Sequence, residues 1–307
     1  MNAEVRNVVV VGGGPAGLTA AIYAGRFGMS PLVLEPGLPG GKLTLIDRIE
    51  NFPGFPGGIG GPELAQRLDE QAREYGAEFR AVAAEAIRRD GALIQVATGD
   101  GEVTARSVIV ASGATPLRLG VPGEREFLGR GVSYCATCDG PFFRDKDIAV
   151  VGGGDSAVEE ALCLTRFARS VTVIHRRERL RASEVLQQRA LAHPLIRFRW
   201  SAEVIAVEGS DQVEGIRLRD RQGESLLPAE GVFIYVGIVP VTGFLGGQVE
   251  LDARGHLRAA EDTATSLPGF FAAGDVRGKP LRQVATAVAD GAVAAMAAEK
   301  YLTGDGV

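Results

Sequence analysis

The sequence predicts an α/β protein in which one parallel βαβ plan is written twice, the second copy inserted into the first. Three observations predict it. Two glycine-rich turns, Gly12-Gly13-Gly14-Pro15-Ala16-Gly17 and Gly152-Gly153-Gly154-Asp155-Ser156-Ala157, each follow a short β-branched strand. Each half later returns an apolar strand that ends in glycine. The tail adds one more strand and a helix without opening a third copy. At 307 residues, 46% hydrophobic and 23% charged, the chain has ordinary globular composition and room for one or two domains.

The elements follow in order. Arg6 to Val11 reads as a buried strand, a helix runs from the first turn to about Phe27 with Gly28 as its stop, and Pro31 to Glu35 is the next strand. Asp90-Gly91 and Asp100-Gly101 are hairpin signals, and Val108 to Gly113 closes the first half. In the second half Asp147 to Val151 is the strand, a helix runs to about Ala168, and Ser170 to Ile174 follows. Arg221-Gln222-Gly223 marks a hairpin, and Val232 to Gly237 closes that half. Phe270 to Asp275 and the Ala-rich helix Val284 to Tyr301 are read as completing the first half, with crossings near Pro116–Leu117 and Val241–Gly243. The expected domains are therefore 1–116 with 244–307, and 117–243.

A G-x-G-x-x-G turn between strand and helix binds a dinucleotide. The first glycine permits the tight turn, the second lets the backbone approach a pyrophosphate, and the third lets helix and strand pack closely. The residue 23 positions after the first glycine separates the two copies: it is Glu35 in one and His175 in the other. A carboxylate there accepts hydrogen bonds from a free ribose 2′-hydroxyl. His175-Arg176-Arg177, with Arg181 beyond, suits a 2′-phosphate. The first site thus calls for FAD or NAD and the second for NADPH. Three segments favour FAD at the first site: Gly40-Gly41-Lys42-Leu43-Thr44, Gly274-Asp275 and Arg282-Gln283.

Cys135-Ala136-Thr137-Cys138-Asp139-Gly140 lies just ahead of the second turn. A C-x-x-C can be redox-active, half a metal site or chance. No second Cys pair exists, and His193 and His256 lack ligand spacing, so no metal is expected. Cys163, on the helix after the second turn, reads as a small core residue. Three cysteines make no extracellular framework, and Met1 to Arg6 lacks leader features. A cytoplasmic location follows as an expectation. The net charge of −5 argues against nucleic acid or membrane as partner.

Taken together these motifs, with Glu50-Asn51-Phe52-Pro53-Gly54 and Ala272-Ala273-Gly274-Asp275, resemble those of the low-molecular-weight thioredoxin reductases, in the family's order and over nearly the whole chain. The set is shared with the related alkyl-hydroperoxide reductase flavoproteins. The resemblance implies an FAD-containing homodimer whose NADPH domain rotates, and a thioredoxin or thioredoxin-like disulfide as substrate. It implies that Cys138 is the flavin-proximal sulfur, Cys135 the more exposed sulfur that attacks the substrate, and Asp139 the acid/base. FAD contacts are implied at Gly12, Gly14, Pro15, Ala16, Gly17, Glu35, Gly40, Gly41, Lys42, Leu43, Asn51, Ala111, Gly113, Gly274, Asp275, Arg282, Gln283 and Val284. NADPH contacts are implied at Gly152, Gly154, Asp155, Ser156, Ala157, His175, Arg176, Arg177, Arg181 and Gly237. Arg130, Phe142 and Phe143 resemble the family's protein-substrate surface. Lys42, Pro141 and Val241 depart from the usual Gln, aromatic and Asn. The competing readings are a ferredoxin- or quinone-type flavin reductase, for which the dithiol is superfluous, and a non-catalytic redox sensor, for which the NADPH site is superfluous.

Overall fold

The computed structural model describes residues 5–304. The first four residues of the N-terminal reading over Met1 to Arg6, and the last residues of the expected first domain, 305–307, lie outside them. The chain forms two compact units, one of Met1–Thr115 with Val239–Val307, the other of Pro116–Ile238.

Strands and helices are numbered along the chain. The first unit opens with β1 (Val5–Val11), α1 (Pro15–Arg26), β2 (Leu32–Leu34), α2 (Gly61–Glu74), β3 (Glu78–Arg80), β4 (Ala84–Asp90), β5 (Leu93–Thr98), β6 (Gly101–Val110) and β7 (Ala114–Pro116). The second unit comprises β8 (Val132–Ser133), α3 (Ala136–Asp139), β9 (Asp147–Gly152), α4 (Asp155–Leu164), β10 (Ser170–His175), α5 (Glu184–Ala192), β11 (Ile196–Trp200), β12 (Glu203–Gly209), β13 (Val213–Asp220), β14 (Gly223–Pro228) and β15 (Gly231–Tyr235). The chain then adds β16 (Ile238–Pro240), β17 (Phe270–Ala272) and α6 (Val284–Thr303).

In the first unit β1 pairs in parallel with both β2 and β6, and Val8 to Val11 are buried, as a central strand covered on both faces requires. Besides β1, the long β6 serves two further neighbours. Its first half pairs antiparallel with β5, its last three residues in parallel with β17. α6 lies against α1 closely enough that a Cβ on Gly291 would run into the carbonyl of Ala16. The second unit is a parallel sheet in the order β11-β10-β9-β15-β8, with the antiparallel β12-β13-β14 as a separate sheet. Both fingerprint turns thus open at the carboxyl ends of parallel strands, where such sheets bind ligands.

The helix predicted to reach Ala168 ends at Leu164. The Thr165 hydroxyl donates back to Leu162 O at 2.7 Å, and Arg166 N and Phe167 N reach carbonyls only three residues back, so the last turn tightens and stops. β3 was not foreseen. Three residues of the type Glu-Phe-Arg carry no periodic signal, and only the pairing with β2 makes them a strand. No helix among the described residues is long and apolar enough to cross a membrane.

Candidate active site

The first cradle is built at the mouth of β1. Gly12 has φ +104°, and a Cβ there would run into Ala111 O at the end of β6. Gly17 is packed in the same way on Gly12 O. Gly14, between them, faces open space, with nothing within 4 Å of a built Cβ. Pro15 sits at the start of α1, so the uncovered helix N-terminus behind Gly14 is the opening a pyrophosphate needs. Glu35 accepts from Gly13 N at 2.7 Å and from Gly37 N at 3.0 Å, and a carboxylate so held retains lone pairs for a ribose hydroxyl.

Remote segments converge on this turn. Gly40 N donates to Gly13 O at 2.7 Å, and Gly41 stacks on Gly14. Lys42 Nζ lies 3.3 Å from the Asp275 carboxylate, which ties the Gly40–Thr44 turn to the Gly274-Asp275 segment. Gly274 packs on Ala16, Asn51 Nδ2 donates to Gln283 Oε1 at 3.1 Å, and Leu43 shares an apolar cluster with Val284. Gln283 caps α6 in a reciprocal box with Thr286. Arg282 donates to Arg277 O at 3.4 Å, while its buried Nε has no partner among the described residues. Gly113 stands apart from this convergence: its carbonyl accepts from Val241 N at 3.0 Å. Sequence reasoning missed Asp290 on α6, which accepts from Gly274 N at 3.0 Å, Arg277 at 3.1 Å and Lys279 at 2.8 Å, and so fixes the loop bearing Asp275. An aspartate in mid-helix carries no motif that could have revealed it.

The second cradle repeats the geometry in its own unit. Gly152 has φ +151° and is packed on Tyr235 O and Ala157, while Gly154 faces open space. The loop after β10 is folded over the turn: Arg181 N donates to Gly153 O at 2.6 Å and Ser183 N to Asp155 Oδ1 at 2.7 Å. Asp155, the first residue of α4, thus serves the loop, and Ser156 follows it in the first turn. Arg176, Arg177 and Arg181 are exposed, and among the described residues none has a carboxylate partner, whereas Glu178 between them is taken by Arg221. His175 differs from its neighbours. It is 5% exposed, its ring underlies Gly153, and its Nε2 has no partner among the described residues. Burial, then the charges of Arg181, Arg177 and Arg176, hold its pKa below the ordinary value, despite a hydrogen bond to the Arg179 backbone. Gly237 closes β15 at φ +148° and accepts from Leu117 N at 2.9 Å.

Cys135 and Cys138 form a disulfide, with Cα atoms 5.4 Å apart, across the single turn of α3. Cys135 Sγ accepts from Cys138 N at 3.2 Å. The exposure runs opposite to the expectation: Cys138 is exposed and Cys135 half-buried, because the Cys135 side chain turns inward to cap the turn. The Tyr235 hydroxyl accepts from Ala136 N at 2.9 Å, so the end of β15 holds both the Gly152 turn and the dithiol. Burial, reinforced by Glu160, pushes the Tyr235 phenol pKa up, and it stays neutral. Asp139, Arg130, Ser133, Lys146, Phe142 and Phe143 line a cleft of about 240 Å³, and Phe142 projects from it 75% exposed. Phe143 is instead buried edge-on against Phe233. Cys163 is unbridged and half-buried.

Two open glycine cradles and a disulfide held beside one of them define a dinucleotide-dependent disulfide oxidoreductase. Residues 6–291 match the model of the pyridine nucleotide-disulphide oxidoreductases. A thioredoxin reductase of Mycolicibacterium smegmatis is 48% identical over 97% of both chains. A bifunctional thioredoxin reductase/thioredoxin of Mycobacterium leprae is 47% identical over 97% of this chain and 66% of that one. The crystal structure of Lactococcus lactis thioredoxin reductase superposes with a TM-score of 0.96 at 43% identity, covering 97% of this chain and 99% of that one. The chain belongs to the pyridine nucleotide-disulphide oxidoreductase family.

Proposed function

We propose that the protein is an NADPH-dependent thioredoxin reductase, with FAD on the first cradle and NADPH on the second. The observation that carries this reading is the Cys135–Cys138 disulfide seated in the unit whose cradle is flanked by the exposed Arg176, Arg177 and Arg181. The residues fit both groups. Open space at Gly14 and the unpartnered Nε of Arg282 suit a dinucleotide on one turn, and open space at Gly154 beside Arg176, Arg177 and Arg181 suits a 2′-phosphate on the other. Bound FAD would supply two-electron exchange between a nicotinamide and a disulfide.

The chain's own residues do the rest. The disulfide takes up two electrons and two protons to become a dithiol, with Cys138 the sulfur that receives the electrons, Cys135 the sulfur released as thiolate, and Asp139 the proton carrier. Cys135, its sulfur supported by the Cys138 amide, attacks one sulfur of the substrate disulfide and releases the other as a thiolate. Cys138 then attacks Cys135 Sγ, which re-forms the internal disulfide and frees the second substrate thiol. Phe142 and Arg130 offer an apolar and a basic contact at the mouth of the cleft. The fusion named in the Mycobacterium leprae relative supports thioredoxin as the partner. The resemblance supports a cytoplasmic homodimer in which the second unit presents its nicotinamide and its dithiol in turn.

The test is NADPH oxidation by the purified yellow protein with each thioredoxin-like protein of the source organism. Disulfide-dependent turnover with at least one is expected. NADPH oxidation that proceeds equally without any disulfide acceptor would overturn the reading.

A further inference from the structure

Glu124 is 2% exposed and is used by nothing described so far. Its Oε1 accepts from Leu119 N at 2.8 Å and from the Tyr134 hydroxyl at 2.6 Å, and its Oε2 accepts from Gly120 N at 2.7 Å. These donors, with the charge of Arg118, hold its carboxyl below the usual range against the opposing effect of burial. Burial and the same carboxylate push the Tyr134 phenol upward, so the pair is a neutral donor on an anionic acceptor. Two of the three donors belong to the segment by which the chain enters its second unit. The third belongs to the residue immediately before Cys135.

The other holds on the dithiol turn are of a different kind. Ser133 Oγ accepts from Cys135 N at 3.0 Å within the same segment, and Tyr235 grips the far side through Ala136 N. Glu124 ties Tyr134, the neighbour of Cys135, to the entry segment at Leu119 and Gly120, in addition to the backbone bonds that hold β8 to Phe127 and to β15. We propose that Glu124, acting through Tyr134, is a positioning residue of the Cys135–Cys138 couple, holding the Cys135 backbone where ring closure with Cys138 needs least reordering. The inference rests on the dithiol reading above. A restrained backbone raises the effective concentration of one thiol toward the other and so favours the disulfide. Loosening the restraint makes the couple easier to reduce.

The test equilibrates the holoprotein with glutathione buffers. Two glutathione thiols and the protein disulfide exchange with one glutathione disulfide and the protein dithiol, so two electrons and two protons are conserved. Alkylation and mass spectrometry read Cys135 and Cys138, with Cys163 as internal reference. Tyr134→Phe keeps the carboxylate and removes the tether; we expect about a 3-fold shift toward dithiol, near 15 mV. Glu124→Gln also removes the charge, and we expect about 10-fold, near 30 mV, in the same direction. The double variant should shift no further than Glu124→Gln, because both changes act through one carboxylate. If Glu124→Gln does not fold, Tyr134→Phe alone carries the test. A folded Tyr134→Phe protein whose couple matches wild type overturns the proposal, including the case in which only Glu124→Gln shifts, which is a charge effect. Cys135→Ser is the control for the underlying reading: if it turns over disulfides normally, the dithiol mechanism fails instead.

Discussion

Replacing Cys135 by serine should separate two half-reactions. Bleaching of the flavin by NADPH is expected to survive, and disulfide turnover to vanish, because the serine hydroxyl cannot form the mixed disulfide. Stopped-flow absorbance and steady-state assays check the two in one preparation. The arginines make a second residue-scale case. Charge-assisted hydrogen bonds are worth roughly 1.5–3 kcal/mol each, so Arg176→Ala or Arg177→Ala should raise KM for NADPH about 10- to 100-fold and leave NADH kinetics nearly unchanged. Equal effects on the two nucleotides would remove the 2′-phosphate assignment. Register in the sequence placed these side chains in the loop after β10 but did not reveal their direction. His175 shares the arginines' stretch of backbone, yet it lies beneath Gly153 and they face solvent. The inward turn of Cys135 was equally illegible, since it depends on which atom caps a single helical turn.

At the scale of elements, glycine was the most legible signal, because Gly12, Gly17 and Gly152 each answer a local steric demand that shows in sequence. The contacts between distant segments were less legible. Asp290 works only because α6 brings it under Gly274, and α4 stops early because one threonine bonds backward. Gly291 sets two effects of opposite sign against each other. Alanine there should gain up to about 1 kcal/mol of helix propensity. It would also place a methyl group in the carbonyl of Ala16, and overpacking of this kind costs about 1–3 kcal/mol. The helices α1 and α6 cannot part without disturbing the first glycine turn, so the steric effect should win. Gly291→Ala is expected to lower the unfolding midpoint and to speed flavin loss on dilution. A stabilised variant that retains its flavin would show that the helix contact is softer than argued.

For the whole molecule, the two units repeat one parallel βαβ plan and differ in the charge beside their turns, so under the proposed assignment a nucleotide should protect one unit and spare the other. Glu35 holds two backbone amides of the first turn and would bring a negative charge against a 2′-phosphate. Arg176, Arg177 and Arg181 would do the reverse over the second turn. A ligand at 100 times its dissociation constant stabilises its own site by about 2.7 kcal/mol, which is enough to slow local exchange about 100-fold where opening requires release. NADP⁺ added to the flavin-loaded protein is therefore expected to slow hydrogen exchange at 152–158 and 175–183 and to leave 12–18 and 35–43 unchanged. NAD⁺ at equal concentration should protect neither. Hydrogen-exchange mass spectrometry resolves these peptides directly. Protection at 12–18 in place of 152–158 would reverse the assignment of the two cradles, and with it the direction in which electrons are proposed to reach Cys138.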